Sequence, residues 1–256
     1  MSMKTFARDL VLTGELDPMY IMMRRIDNYD KKVRFVTHFF LFYDAGGAAK
    51  CMESQVRFWD YVTNGYPLFK RGTERRHFRG ENGAKAIKIL SALGNLDNMW
   101  DAIYGVNLKI MAGKQIPGSQ IGPYFQWKAM DILDRVFGDE VLLSLPDAMK
   151  FLPDEPRKCA KAIWPNKNLS WVLDEVAGWI GDLPAPGAHT RNCAYSEAET
   201  ILCAINGLRK GSYKFGQDLE RRHAELAPFP ELRRLLPDPI NTALYEHTLD
   251  TPVVPA

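Results

Sequence analysis

The sequence predicts an all-α fold. Apolar side chains recur at intervals of three and four residues through most of the chain, as they do on one face of a helix. No run alternates apolar and polar residues as a half-buried strand does, and no Asn-Gly turn joins two such runs. The chain has 256 residues, which is enough for one large domain or two small ones.

The helices of the N-terminal part are predicted from their start and stop residues. Asp17 and Pro18 are an N-cap followed by proline at the first helical position. The second helix is predicted to end at Gly46 and Gly47, because glycine commonly terminates helices. The predicted helices are, in order, 18–26, 33–43, 48–62, 83–93 and one that Asp97 caps.

The C-terminal part continues the same pattern. Helices are predicted at 124–137, 168–180, 194–210 and 216–227. We expect one helical domain over 1–227, with a seam between two lobes near 146–168, where Pro, Asp and Lys accumulate. Residues 228–256 carry six prolines and are predicted to form a wrapping or loose tail.

Charge and composition narrow the function classes. Lys and Arg total 33 against 31 for Asp and Glu, so the net charge of +2 excludes a histone-like attraction to nucleic acid but allows a local basic patch. The four cysteines form no CxxC pair, which predicts reduced thiols and no metal. Motifs for nucleotide, nicotinamide, serine-hydrolase and zinc chemistry are missing, so no cofactor is expected.

No apolar run is long enough to span a membrane. The N-terminal segment carries Arg8, Asp9 and Glu15 in or beside its apolar stretch, unlike a secretory signal. A cytoplasmic protein without a membrane partner is therefore expected.

A basic segment at 70–80 is the first candidate binding element. Guanidinium groups match pairs of phosphate oxygens, and the glycines at 72 and 80 allow close approach. Capture of a phosphate-bearing ligand or a DNA backbone is one interpretation, and an ordinary solvated loop is the other. The candidate residues here are Lys70, Arg71, Arg75, Arg76 and Arg79, with His77 among them.

A glycine-rich hairpin at 113–122 is the second candidate. A helix predicted to start at Pro123 would point its free N–H groups outward beside Gly118 and Gly122, as helix-hairpin-helix elements do toward a DNA phosphate. Lys128 lies one to two turns into that helix and could add a charged contact. A plain turn with glycine caps is the alternative. Tyr124 and Trp127 are candidates for base stacking or for the core.

Two glutamates near the start of the helix at 194–210 are the third candidate. Glu197 and Glu199 lie about 200° apart on a helix, so they border its apolar face on opposite sides and only one easily reaches a given cleft. Such a carboxylate could orient an amine or take its proton. Two exposed first-turn glutamates are the alternative. Arg191 precedes them, and a second basic loop at 209–218 contains Lys214.

The hairpin is also followed by carboxylates that could act as the catalytic acid of a base-excision enzyme. Asp131 and Asp134 come first, and spacing does not choose among Asp139, Glu140 and Asp147.

The residues from Arg191 to Asp218, together with 118–128, resemble phage DNA-hypermodification proteins of the helical DNA-glycosylase superfamily. The pattern is Arg-x-Cys, Glu-x-Glu-Thr-Ile-Leu-Cys and Gly-x-Tyr-x-x-Gly-x-Asp, joined to Gly-x-x-x-Gly-Pro-Tyr and Trp-Lys. The group comprises amino acid:DNA transferases and α-glutamyl/putrescinyl-thymine pyrophosphorylases. The resemblance covers roughly residues 60–220 and implies a helix-hairpin-helix, glycosylase-like fold acting on double-stranded DNA in the cytoplasm of a bacterial host.

The resemblance also implies a reaction. A separate 5-hydroxymethyluracil DNA kinase supplies the pyrophosphorylated base, and a free amino acid such as glycine displaces pyrophosphate from its 5-methylene carbon. Clustered arginines would stabilise the leaving group. Glu197, Glu199 and His77 are the candidates for deprotonating the amine. The hairpin reads Ile-Gly-Pro-Tyr instead of glycine-hydrophobic-glycine, which argues against cleavage of the glycosidic bond.

Two other functions stay open at this point. A glycosylase or thymine pyrophosphorylase of the same superfamily would release base, or pyrophosphate without amine transfer. A non-catalytic DNA-binding protein would show salt-dependent duplex binding and no product.

Overall fold

The structure is a computed structural model that describes residues 2–70, 80–96, 99–101, 122–138, 144–188 and 190–241. Its elements in these ranges are helices, and the only β feature there is one bridge between Pro184 and Asn192, which confirms the all-α prediction. The hairpin at 113–121 lies outside the described residues, so the helix-hairpin-helix detail stays a prediction.

The helices fall into two stretches of the chain. Those before residue 100 are α1 (Met3–Leu12), α2 (Pro18–Arg24), α3 (Tyr29–Phe42), α4 (Ala45–Glu53), α5 (Phe58–Gly65) and α6 (Gly80–Ser91). Those after it are α7 (Pro123–Ile132), α8 (Leu145–Phe151), α9 (Asp154–Ile163), α10 (Leu169–Ile180), α11 (Tyr195–Arg209), α12 (Gln217–Glu225) and α13 (Pro230–Arg233). A π-helical turn, Leu133–Phe137, continues α7.

Side-chain caps explain several of the helix starts. Asn28, Asp44 and Asn168 each accept a hydrogen bond from a backbone N–H three residues further on. Ser144 forms a capping box with Asp147 at the start of α8. Each cap satisfies an N–H that has no partner within the helix, which fixes the first turn.

Asp17 occupies the predicted N-cap position of α2, but its carboxylate does not cap that helix. Its backbone lies in the left-handed region, with φ of 54°, and its side chain accepts a hydrogen bond from Arg135 Nη2 at 2.9 Å. A left-handed conformation is uncommon for a residue with a side chain and persists where surrounding contacts hold it.

The region from 43 to 62 differs from the prediction. The helix predicted over 48–62 is two helices, α4 and α5, and Gly47 lies in the first turn of α4 instead of ending α3. A Cβ on Gly47 would lie 2.6 Å from a carboxylate oxygen of Asp44 and 2.9 Å from the His38 ring. This glycine therefore permits the close approach of the cap, and Tyr43 ends α3 in the left-handed conformation.

The segment predicted as a seam, 146–168, contains α8 and α9. Helices α1 and α13 were also not predicted. Residues 228–241 of the predicted tail pack against the body, with Leu232 and Leu236 buried in the core. The domain boundary at 227 stays a prediction.

Helix α7 lies between two hydrophobic clusters. Phe125, Ala129 and Ile132 belong to a cluster built mainly from α2 to α6, whereas Trp127 and Met130 belong to a cluster built mainly from α1 and α8 to α11. Because both sides of α7 are packed, the polar side chains that it carries are fixed in the interior of the protein.

Candidate functional site

A cavity of about 690 Å³ opens beside α7, within the range of small-molecule sites. Its walls come from α2, the end of α3, α7, α9, α11 and α12. Among the predicted site residues, Tyr124, Lys128 and Glu199 line it. The sequence separates the first two from Glu199 by about 70 positions, so tertiary packing brings them together.

Lys128 and Glu199 form a buried ion pair on the cavity wall. The Lys128 Nζ donates a hydrogen bond to Glu199 Oε2 at 3.0 Å, with side-chain exposures of 11% and 2%. Burial favours loss of the lysine proton, but the attraction of its neighbours, Glu199 foremost, outweighs burial and raises the pKa of Lys128 well above its ordinary value. Lys128 is therefore a cation with one side toward the cavity.

Glu199 has two further polar neighbours. The Thr200 hydroxyl donates to Oε2 at 3.3 Å, and the Cys203 thiol donates to Oε1 at 3.4 Å. Thr200 and Cys203 also line the cavity. Both carboxylate oxygens of Glu199 thus face polar groups at the cavity wall.

A second set of charges lies behind this wall, centred on Arg135 in the π-helical turn. Arg135 donates from Nε and Nη2 to the two carboxylate oxygens of Asp131, at 2.9 and 2.6 Å. It also bonds Asp17, and its guanidinium carbon lies 4.2 Å from the centre of the Tyr20 ring. A π-turn is a rare helical distortion that often accompanies functional sites. Asp131 in turn lies 4.0 Å from Lys128 Nζ, which links the two sets.

Arg191 and Glu197 belong to this second set. Arg191 donates to both oxygens of Glu197, at 3.1 and 3.0 Å, and to Asp134. Burial would raise the pKa of Glu197, but Arg135, Arg191 and the Ala194 N–H lower it to about 2. Glu197 does not line the cavity; it is a member of the network that is charged at neutral pH.

Aromatic and cationic side chains form another part of the cavity wall. Tyr20, Tyr43 and Tyr124 line it together with two adjacent arginines of α12, Arg221 and Arg222. Sequence reasoning missed both arginines, because α12 has an overall charged sequence and only the fold turns this face inward.

The other predicted residues lie elsewhere. Trp127 is fully buried in a hydrophobic cluster, as in the core alternative, and Gly122 is the N-cap of α7. Lys70 and Lys214 are exposed and do not line the cavity. Arg71, Arg75, Arg76, His77, Arg79 and Gly118 lie outside the described residues.

The described residues contain no group of three or more His, Cys, Asp or Glu side chains that could hold a metal ion. In the same part of the chain, no helix is long and apolar enough to cross a membrane. The four cysteines are free.

Comparison with known proteins identifies relatives in two phages. No family model matches the sequence. The chain is 27% identical over 248 residues to the putrescinyltransferase of Delftia phage PhiW-14, covering 88% of this chain and 78% of that protein. It is 26% identical over 270 residues to the glycinyltransferase of Pseudomonas phage PaMx11, covering 88% and 90%. The predicted resemblance to the phage amino acid transferases is therefore confirmed.

Proposed function

We propose that the protein transfers an amino acid such as glycine onto pyrophosphorylated 5-hydroxymethyluracil in DNA and displaces pyrophosphate. The observation that carries this proposal is the buried Lys128–Glu199 pair on the wall of a cavity of about 690 Å³. The support for transferase chemistry is the similarity to a putrescinyltransferase and a glycinyltransferase over 88% of the chain.

Glu199 is the base in this proposal. The amine nitrogen attacks the 5-methylene carbon and forms the C–N bond, while the bond from that carbon to the pyrophosphate oxygen breaks and the oxygen keeps the electron pair. The nitrogen then carries an extra proton, which passes to the Glu199 carboxylate. A carboxylate that lines the cavity and is only hydrogen-bonded by Lys128, Thr200 and Cys203 among the described residues can accept it.

Lys128 supplies positive charge at the same place. An α-amino acid carries a carboxylate beside its amine, and a lysine–glutamate pair offers the complementary charges. Lys128 would bind the carboxylate while Glu199 binds the amine. A low-dielectric cavity wall strengthens both contacts.

Glu197 has a different role in the proposal. Its carboxylate stays charged, it is shared by Arg135 and Arg191, and it lies outside the cavity, so we assign it to holding α11 against the π-helical turn. His77 remains an additional candidate for proton transfer on sequence grounds.

The proposed contacts to DNA rest on the sequence alone. A target base inside a duplex must be extruded to enter a cavity of this size. Lys70, Arg71, Arg75, Arg76, Arg79, Gly118, Gly122 and Lys214 remain the proposed contacts to the DNA backbone or the pyrophosphate. Such a substrate implies a separate 5-hydroxymethyluracil DNA kinase and a site of action in the cytoplasm of the bacterial host.

Mass spectrometry of nucleosides tests this function. The full chain is incubated with DNA that carries pyrophosphorylated 5-hydroxymethyluracil and a mixture of glycine, other amino acids and putrescine. We expect an amine-linked nucleoside from the wild type and from Glu220→Gln, an exposed carboxylate of α12, but not from Glu199→Gln. Free base or abasic sites would instead indicate the glycosylase alternative, and pyrophosphate release without a linked amine the pyrophosphorylase alternative. Binding without product would indicate a DNA-binding protein.

A further inference from the structure

Arg221 and Arg222 of α12 line one corner of the cavity, beside Asp218. The guanidinium carbon of Arg222 lies 4.5 Å from the centre of the Tyr43 ring and 5.0 Å from that of Phe39, and Arg221 lies 5.6 Å from Tyr43. Arg222 has a side-chain exposure of 2% and Arg221 of 43%. One arginine is therefore part of the interior and the other reaches toward solvent along the same wall.

The backbone conformation of Tyr43 helps to hold the two arginine side chains in position. Tyr43 adopts φ of 55°, a left-handed conformation that a bulky residue rarely takes. This conformation ends α3 and places the tyrosine ring against both arginines. Contact with an aromatic face holds each guanidinium plane in position before a ligand arrives.

Each arginine keeps donors available. Arg221 donates from Nη2 to Asp218 at 2.8 Å, and Arg222 donates from Nη1 to Glu225 at 2.6 Å. In the described part of the chain, these bonds use one nitrogen of each group, whereas a guanidinium has five N–H donors on three nitrogens. Burial would lower the pKa of Arg222, but neighbours that include Glu225 raise it, so its charge is retained.

We infer that Arg221 and Arg222 bind the diphosphate of the modified nucleotide and stabilise it as it leaves. The inference rests on the proposed function and adds the place of the leaving group within the cavity. When the bond from carbon to oxygen breaks, its electron pair stays on the diphosphate, and two neighbouring guanidinium forks meet that added charge.

The corner complements the Lys128–Glu199 pair. That pair is formed by α7 and α11, whereas the arginines come from α12, and all four side chains line one cavity. The amine can therefore approach from the wall that carries its base, while the diphosphate leaves toward the wall that carries the arginines. Tyr124 lines the same cavity and offers a ring surface for the base.

Calorimetric titration of the full-length protein with inorganic pyrophosphate tests this site without any turnover. We expect pyrophosphate to bind more tightly than orthophosphate. Loss of a charge-assisted contact in Arg221→Gln should weaken pyrophosphate binding about tenfold or more. Arg234→Gln is the matched control, since Arg234 is a 74%-exposed arginine paired with Glu231 away from the cavity, and it should bind within about twofold of the wild type.

Two results would overturn the inference. One is wild-type protein that does not bind pyrophosphate, and the other is pyrophosphate binding in Arg221→Gln that is unchanged from the wild type. Arg221 is partly exposed, so the variant should fold, and a thermal melt checks this. If pyrophosphate binds through Arg221 but no amine is transferred to DNA, the proposed function fails and this site stands.

Discussion

The Nζ of Lys128 lies 3.0 Å from Oε2 of Glu199, although the two residues are 71 positions apart in the sequence. They come from α7 and α11, two helices whose remaining faces are packed into the core. A buried ion pair often adds no net stability, because the free-energy cost of removing the two charges from water offsets the attraction between them. Its position on a cavity wall supports the catalytic role that we propose for the pair.

Glu199→Gln should lower kcat by about 100-fold or more, because an amide cannot accept the amine proton. The fold should survive, since glutamine is nearly isosteric and can still accept from Lys128. Product formation by mass spectrometry and a thermal melt, measured on the same preparation, check both parts. Activity near that of the wild type would remove Glu199 as the base.

Lys128→Gln should raise the KM for the amino acid more than it changes DNA binding, since the proposed partner of Lys128 is the carboxylate of the small substrate. Initial rates across a glycine titration, beside a DNA-binding titration, separate the two effects. Repeating the titration with putrescine gives the control, because a diamine has no carboxylate to lose. An equal rise in KM for both amines would contradict this role.

Glu197→Gln should lower the free energy of unfolding. Since the pKa of Glu197 is lowered from 4.5 to about 2 in the folded protein, its charged form stabilises the fold fully above pH 4.5, and this contribution is lost as the pH falls through 2. A shift of this size corresponds to about 3 kcal/mol. Urea unfolding of Glu197→Gln at neutral pH should show a loss of that order.

The same measurement at several pH values supplies the control. Between pH 4.5 and 2 the wild type should lose more free energy of unfolding than Glu197→Gln does, because the variant lacks this titrating group. Parallel pH curves for the two proteins would show that Glu197 is not held by Arg135 and Arg191 as described.

Cys203 should be the cysteine that alkylating reagents modify first in the native protein. It is half-buried and lines the cavity, whereas burial raises the pKa of Cys51, Cys159 and Cys193 to about 12 each. Peptide mapping after brief treatment with iodoacetamide checks the order. A substrate that fills the cavity should slow the reaction at Cys203, and equally rapid labelling of Cys159 would contradict the packing described here.

Much of the fold follows from local sequence signals. Helical spacing predicts α10 and α11 within a residue or two. Helices α8 and α9 are not predicted from the sequence, because each is short and rich in charged residues or proline and its apolar stripe is weak. The break between α4 and α5 is not predicted either, because apolar residues continue at helical spacing across it.

Less of the candidate site than of the fold can be predicted from the sequence. The angular separation of Glu197 and Glu199 predicts that only one of them easily reaches a given cleft, but tertiary contacts decide that Glu199 is the one that lines this cavity. The Arg135 network depends on Asp17, which is 118 positions away, and the inward face of Arg221 and Arg222 depends on Tyr43. Long-range pairings of this kind leave no periodic signal in the chain.

The most direct test of the central claim is the stoichiometry of the reaction with glycine. Pyrophosphate release and amine-linked nucleoside are quantified together on DNA that carries pyrophosphorylated 5-hydroxymethyluracil. Direct displacement at the cavity predicts one pyrophosphate for each glycine-linked nucleoside with the wild type, and neither product with Glu199→Gln. Pyrophosphate or free base released without linked glycine would contradict it.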